Sequence, residues 1–330
     1  MNNVSIQGDI RYINFEFDPF TIPVLAAFAP IIYVIPTIFI VIKIIKVYVR
    51  CLIRKKQELI NPHVFSIIVL SQFLVSYSFC YMLADYSTIR LPSTGIMTSW
   101  CASGQPSHFL KVLFMLSVYF NYTSMLFPFL LSILRLIPLY RPFNHEKLSG
   151  RIVSISTPLI FLYPFLFCFP LFPALGTCLQ LKGDYHFGAV FIFYDRSWFN
   201  IKQANTLFLN VIAWFFISTV TNTMLYLKLR KLRNKRRSLK LQRAEFSLSV
   251  TTLSMLSAYI TNLAFVAAFI FLPGSSAYLV ALRPYGNDCD FVSVPWIFYL
   301  THPIFKQAKV LPTEAVRQKW AAVVLMKISS

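Results

Sequence analysis

Acidic side chains are scarce in this chain. Twelve Asp and Glu stand against 31 Lys and Arg, and charged residues make up only 13% of the 330, where a soluble domain carries about 25%. Glycine is scarce as well. The nine Gly residues fall in loops or at the rims of apolar runs and never form a phosphate-cradling cluster. Their positions also argue against close-packed glycine faces between helices. The five His residues are scattered, without metal-ligand spacing. The apolar runs hold no central Asp, Glu, Lys or Arg, so an intramembrane enzyme or an ion-coupled pump lacks its acids and bases. No catalytic residue, metal site or cofactor is expected.

What the chain has in excess is apolar surface. It is 57% hydrophobic and contains 33 Phe. Stretches such as TLFLNVIAWFFISTVTNTMLYL (206–227) and FSLSVTTLSMLSAYITNLAFVAAFIFL (246–272) carry no charge, and about 20 such residues cross the hydrocarbon of a bilayer as a helix. Seven segments are counted, at 21–42, 64–83, 109–134, 152–172, 206–227, 246–272 and 291–305. The last is the shortest and holds Pro295 and Pro303. Pro30, Pro128 and Pro164 are expected to kink segments one, three and four. The expected fold is an all-α membrane protein, a seven-transmembrane helix bundle spanning residues 21–305. Residues 1–20 lack the basic start and apolar core of a cleavable leader, so segment one is expected to be the first anchor.

The net charge of +19 has an address. The first connection carries Lys43, Lys46, Arg50, Arg54, Lys55 and Lys56. The third carries Arg135, Arg141, Lys147 and Arg151. The fifth, KLRKLRNKRRSLKLQR (228–243), has nine basic residues in sixteen, and five more follow segment seven. The positive-inside rule puts these loops and the tail 306–330 in the cytoplasm and residues 1–20 outside. Most acids, among them Asp85, Asp288 and Asp290, then fall in outer loops. The 228–243 stretch resembles a nucleic-acid patch when read alone, but its flanks sit in lipid and exclude nucleic acid as a partner. It is expected to rest on anionic membrane lipid, and on a second reading also to contact a cytosolic protein.

Three cysteines, Cys101, Cys178 and Cys289, face the oxidising side. A Cys101–Cys178 bridge would pin the second outer loop to the top of segment three, and pairings with Cys289 are the alternatives. Asn3 heads an exterior glycosylation sequon, whereas Asn121 heads one too deep in segment three to be reached. Uncharged polar residues recur at helical spacing: Ser117, Asn121 and Ser124; Asn210, Trp214, Ser218 and Asn222; Ser254, Ser257 and Thr261. Either they hydrogen-bond between helices or their outer members line a cavity. On the second reading Ser117, Asn121, Asn210, Trp214, Ser257 and Thr261 contact a small, largely neutral ligand. With no acid at depth, a cationic amine is disfavoured.

Seven helices with an outer N-terminus resemble a G-protein-coupled receptor. The run SILRLIPLYRPF puts Arg135 at the inner end of segment three, with Pro142 seven residues on. In rhodopsin-like receptors an acid precedes that arginine; here Leu134 replaces it and the latch those two residues form is missing. INFEFDPFTIPVLAAFAPIIYVIPTIF (13–39), RLPSTGIMTSWCA (90–102) and FNYTSMLFPFLLSILRL (120–136) are similar to the nematode serpentine chemoreceptors of class U. That resemblance implies a chemosensory receptor of the plasma membrane of a sensory neuron, in its cilium, with a small-molecule ligand and a heterotrimeric G protein as partners. Arg135, Arg233, Lys235, Arg236 and Arg237 are the expected coupling residues. A ligand-gated or constitutive channel and a non-signalling membrane partner are the alternatives. The tail stripe Val316, Trp320, Val323 and Val324 suits an eighth helix on the inner leaflet, with a disordered end as the alternative.

Overall fold

A computed structural model describes residues 5–54, 62–141, 143–181, 185–195, 197–198, 203–233, 239–272 and 276–305. Seven helical rods dominate. They are α1 (Ile31–Arg54, preceded by the short helix Ile22–Phe28), α2 (Pro62–Val69 running into Leu70–Arg90, the latter wound as a π-helix), and α3 (His108–Ser124 and Phe127–Tyr140). α4 is His145–Leu162 followed by Phe165–Cys168, α5 is Gln203–Arg233, α6 is Leu239–Phe271 and α7 is Ser276–Thr301. Each of the three anticipated prolines marks a break. Pro30 separates the first two helices, Pro128 follows the gap in α3, and Pro164 lies in the gap in α4.

α3 is central and touches α2, α4, α5 and α6. α7 packs on α1, α2 and α6. The main core joins α2, α3 and α7 through Phe65, Phe127, Leu131, Leu134 and Phe298. Outward faces are apolar too: Ile32, Leu159, Leu162 and Phe216 are exposed, as lipid as solvent requires.

Among the described residues, five of the rods are long and apolar enough to cross a membrane. α7 is not among them, because it holds charges that were expected in an outer loop, and the apolar part of α2 among the described residues runs over Pro62–Ser76. α2 extends past the anticipated end at 83 and takes in Asp85 and Arg90. α7 begins at Ser276, well before 291, and takes in Arg283, Asp288 and Asp290. The spans therefore do contain ionisable residues. A hydropathy window stops at the first charge, but a charge met by a partner on the next helix leaves the helix free to continue. Glycine needs the same revision. Gly286 lies within α7, and a Cβ there would come 2.8 Å from the Thr261 Cβ of α6. Its missing side chain is what lets the two rods approach so closely.

One end of the bundle is capped. β1 (Gly176–Gln180) pairs antiparallel with β2 (Val190–Tyr194). Cys178 on β1 is bonded to Cys101, with 5.9 Å between their Cα atoms. The N-terminal segment lies across this hairpin. Ile6 donates its N–H to Cys178 O at 3.3 Å, Gly8 donates to Ala102 O at 2.9 Å, and Ser99 Oγ donates to Phe15 O at 2.8 Å. Gly188, at φ +93°, has the Phe15 ring where a side chain would stand, 2.2 Å from an added Cβ. Within the cap, Asp9 is held below the usual carboxylate range by hydrogen bonds from Arg11, and burial lowers the His186 imidazole.

Candidate functional site

Three polar constellations cross between helices. The first lies toward the capped end. Arg90 of α2 and Asp288 of α7 form an ion pair at 2.5 Å, with side chains 3% and 4% exposed. The Tyr33 hydroxyl of α1 donates to the same carboxylate oxygen. The Arg90 guanidinium lies 4.9 Å from the centre of the Tyr285 ring. Asn287 Nδ2 donates to Asp85 Oδ2 at 2.8 Å. Three helices are thus joined through charge.

The second lies at the opposite end, around Arg135 of α3. Its Nη1 donates to Thr252 Oγ1 at 2.9 Å. Its Nη2 donates to Glu245 O at 3.0 Å, to Ser249 Oγ at 2.6 Å and, at 3.4 Å, to Glu245 Oε2. Glu245, Ser249 and Thr252 follow one another at four and three residues on α6, so they share a face. Both hydroxyls send their own protons back along α6, Ser249 to Glu245 O and Thr252 to Leu248 O. Their lone pairs are left for the guanidinium. The acid missing beside Arg135 in sequence is therefore supplied from α6. Nearby, Lys228 of α5 lies over the Tyr140 ring at 4.2 Å. His302 accepts from Ile304 N–H at 3.4 Å and packs against Phe298.

The third is a cavity of about 30 Å³ halfway along the bundle. α2 contributes Ser71, Gln72 and Ser76. α6 contributes Met255, Tyr259 and Asn262, and α7 contributes Asp290. α3 lines it at its break with Ser124, Met125, Phe127 and Pro128. The break explains the cavity. Pro128 has no N–H for Ser124 O, so the helix offsets there, and the Tyr259 hydroxyl reaches across to Met125 O.

The six residues expected to contact ligand do not line this cavity. Ser117 and Asn121 are buried on α3, two turns and one turn to the capped side of Ser124. Asn210 and Trp214 of α5 meet at Tyr163 of α4, whose hydroxyl donates to Asn210 Oδ1 and accepts from Trp214 Nε1 at 3.0 Å. That is a tie between helices. Ser257 donates to Ser254 O at 2.7 Å, and Thr261 faces Gly286. Sequence reasoning missed Gln72, Tyr259, Asn262 and Asp290. Of the coupling set, Arg135 is buried at the α3–α6 contact and Arg233 closes α5. Asn3, Lys235, Arg236, Arg237 and the tail 306–330 lie outside the described residues. Among the described residues no group of three His, Cys, Asp or Glu could hold a metal ion.

Comparison with known families agrees with a seven-rod bundle of this kind. Residues 6–308 match the family model described as serpentine type 7TM GPCR chemoreceptor Sru. The chain belongs to the Sru family. A Caenorhabditis elegans protein, serpentine receptor class U-26, is 37% identical over 264 residues, which cover 78% of this chain and 89% of that one. This Sru chain is accordingly a multi-pass membrane protein of a chemoreceptor family, and Arg135, the cap and the cavity all fall inside the matched region.

Proposed function

We propose that this chain is a plasma-membrane receptor of a sensory cell, in its cilium, that detects a small chemical stimulus from outside and activates a heterotrimeric G protein. Residues 1–20 with the cap face outward, 21–305 form the seven-helix domain, and 306–330 are the cytoplasmic tail. The basic connections support this orientation. Nucleic acid has no place in it. Asn3 carries a glycan on the outer side.

The observation that carries the proposal is the seat of Arg135. Four acceptors on α6 hold a guanidinium rooted in α3, and that charge is buried between the two helices. In this arrangement α3 and α6 are closed on each other. A stimulus that binds better to an arrangement with α6 swung away shifts the population toward it. Arg135 is then released, together with Arg233, Lys235, Arg236 and Arg237, to meet the α subunit. Ser117, Asn121, Asn210, Trp214, Ser257 and Thr261 are the residues taken to meet the incoming molecule.

The test is a chemical screen in a heterologous cell with a G-protein readout, run beside Arg135→Ala. The variant is expected to reach the surface normally and to lose stimulus-evoked signalling altogether. Full coupling without Arg135 would remove that residue from the mechanism. A stimulus-evoked current that persists when G proteins are blocked would replace the receptor with a channel.

A further inference from the structure

The mid-bundle cavity has an imbalance in its polar lining. Asp290 Oδ1 and Gln72 Oε1 are both buried and accept no hydrogen bond. The nearby hydroxyls do not supply them. Ser71 Oγ donates to Ile68 O at 3.1 Å, Ser124 Oγ to Asn121 O at 2.8 Å and Tyr259 Oη to Met125 O. Their protons are spent on backbone carbonyls, so these groups offer the cavity lone pairs. The amide N–H donors of the lining, Gln72 Nε2 and Asn262 Nδ2, leave Asp290 Oδ1 without a bond, and a buried carboxylate oxygen beside hydroxyl lone pairs inside a membrane bundle calls for a positive charge that brings its own N–H or coordination bonds.

Size and apolar lining narrow the choice. A cavity of about 30 Å³ has room for one or two water-sized groups, since one water needs about 10–15 Å³. Ligand pockets for drug-sized molecules run to about 300–1,000 Å³. Met125, Phe127, Pro128 and Met255 share the lining with the oxygens. A bare metal ion wants oxygen on every side. A methylammonium ion wants acceptors around its nitrogen and apolar contact at its carbon.

We propose that this cavity binds a small ammonium ion, ammonium itself or methylammonium, with Asp290 as counter-ion and Gln72, Ser71 and Ser124 as acceptors. The inference deepens the chemoreceptor proposal by naming a ligand class, and it revises the expectation that an amine is a poor candidate. That expectation rested on the absence of an acid at depth, and Asp290 is such an acid.

Binding of radiolabelled methylammonium to the purified full-length chain in nanodiscs tests it without any G protein. Saturable binding is expected to be competed by ammonium, but not by sodium or by tetramethylammonium, which is too large. Asp290→Asn, close to isosteric, is expected to weaken binding at least tenfold, and Ser124→Val, which places a methyl group in the cavity, to weaken it several-fold. Monodisperse elution and unchanged thermal melting check that each variant folds. If Asp290→Asn does not fold, Ser124→Val decides. The proposal is overturned if methylammonium does not saturate the wild-type chain, if the folded variants bind as well as wild type, or if sodium displaces the label at equal concentration. A negative result here leaves the receptor proposal standing. Methylammonium binding with no signalling response would count against the receptor proposal alone.

Discussion

Among the described residues two arginines, Arg90 and Arg135, are buried between helices, and they are held in different ways. Arg90 meets a carboxylate that is as buried as itself, at 2.5 Å, and Tyr33 shares that carboxylate. Arg135 meets mainly neutral oxygens. Its nearest acid, Glu245, stands at 3.4 Å and is 20% exposed where Arg135 is 1%. A closed ion pair in low dielectric cannot be opened without stranding two charges. A cradle of hydroxyls and a carbonyl can be exchanged for water or for a partner's acceptors at modest cost. The capped end of α2 and α7 is therefore welded, and the opposite end of α3 and α6 is latched. A receptor needs this asymmetry, with one end rigid while the other moves.

Removing one member of the welded pair gives the largest effect. Arg90→Ala leaves Asp288 buried without its counter-charge, a loss of about 3–5 kcal/mol. The variant is expected to be retained inside the cell and to melt well below wild type. Arg90→Met combined with Asp288→Leu removes both charges and is expected to restore most surface expression, as buried pairs often tolerate apolar replacement. Surface labelling and thermal melting read both. If Arg90→Ala reached the surface at wild-type level, the pair would not be a weld. The latch should respond differently. Ser249→Ala removes the shortest bond to Arg135, at 2.6 Å, and a hydrogen bond to a charged group contributes about 1.5–3 kcal/mol. Expression is expected to hold while stimulus-free G-protein activity rises roughly tenfold or more.

The latch and the weld were unequally visible in sequence. Apolar length alone gave most of the bundle, and prolines 30, 128 and 164 gave its breaks, because both are local properties. Arg135 stood out through its place at the end of an apolar run. Its partner Glu245 did not, being 110 residues away. Arg90 and Asp288, 198 residues apart, were each assigned to loops because a charge without a visible partner ends a hydropathy window. A signal was available for α7. Pro284, Asp288, Phe291, Val294 and Phe298, all buried, recur at three and four residues, and this helical stripe runs straight through the acid. Weighing periodicity above hydropathy would have lengthened the helix and put Asp290 beside the cavity. Gly286 offered no such signal, since its importance depends on Thr261 standing opposite.

The smallest expected effect separates the two arginines most finely. Glu245→Gln keeps the side-chain shape and the main-chain carbonyl that Arg135 uses at 3.0 Å, and it deletes only the negative charge. That charge is long-range, partly solvated and therefore screened. Pairs of this kind contribute about 0–1 kcal/mol, so stimulus-free activity is expected to rise no more than about fivefold, less than for Ser249→Ala, with melting unchanged. The comparison is made between the two variants in the same cells at matched surface density. If Glu245→Gln exceeded Ser249→Ala, the carboxylate would be the principal restraint on α6. Arg135 would then work by charge, as Arg90 does, and the contrast between a weld and a latch would reduce to a difference in burial.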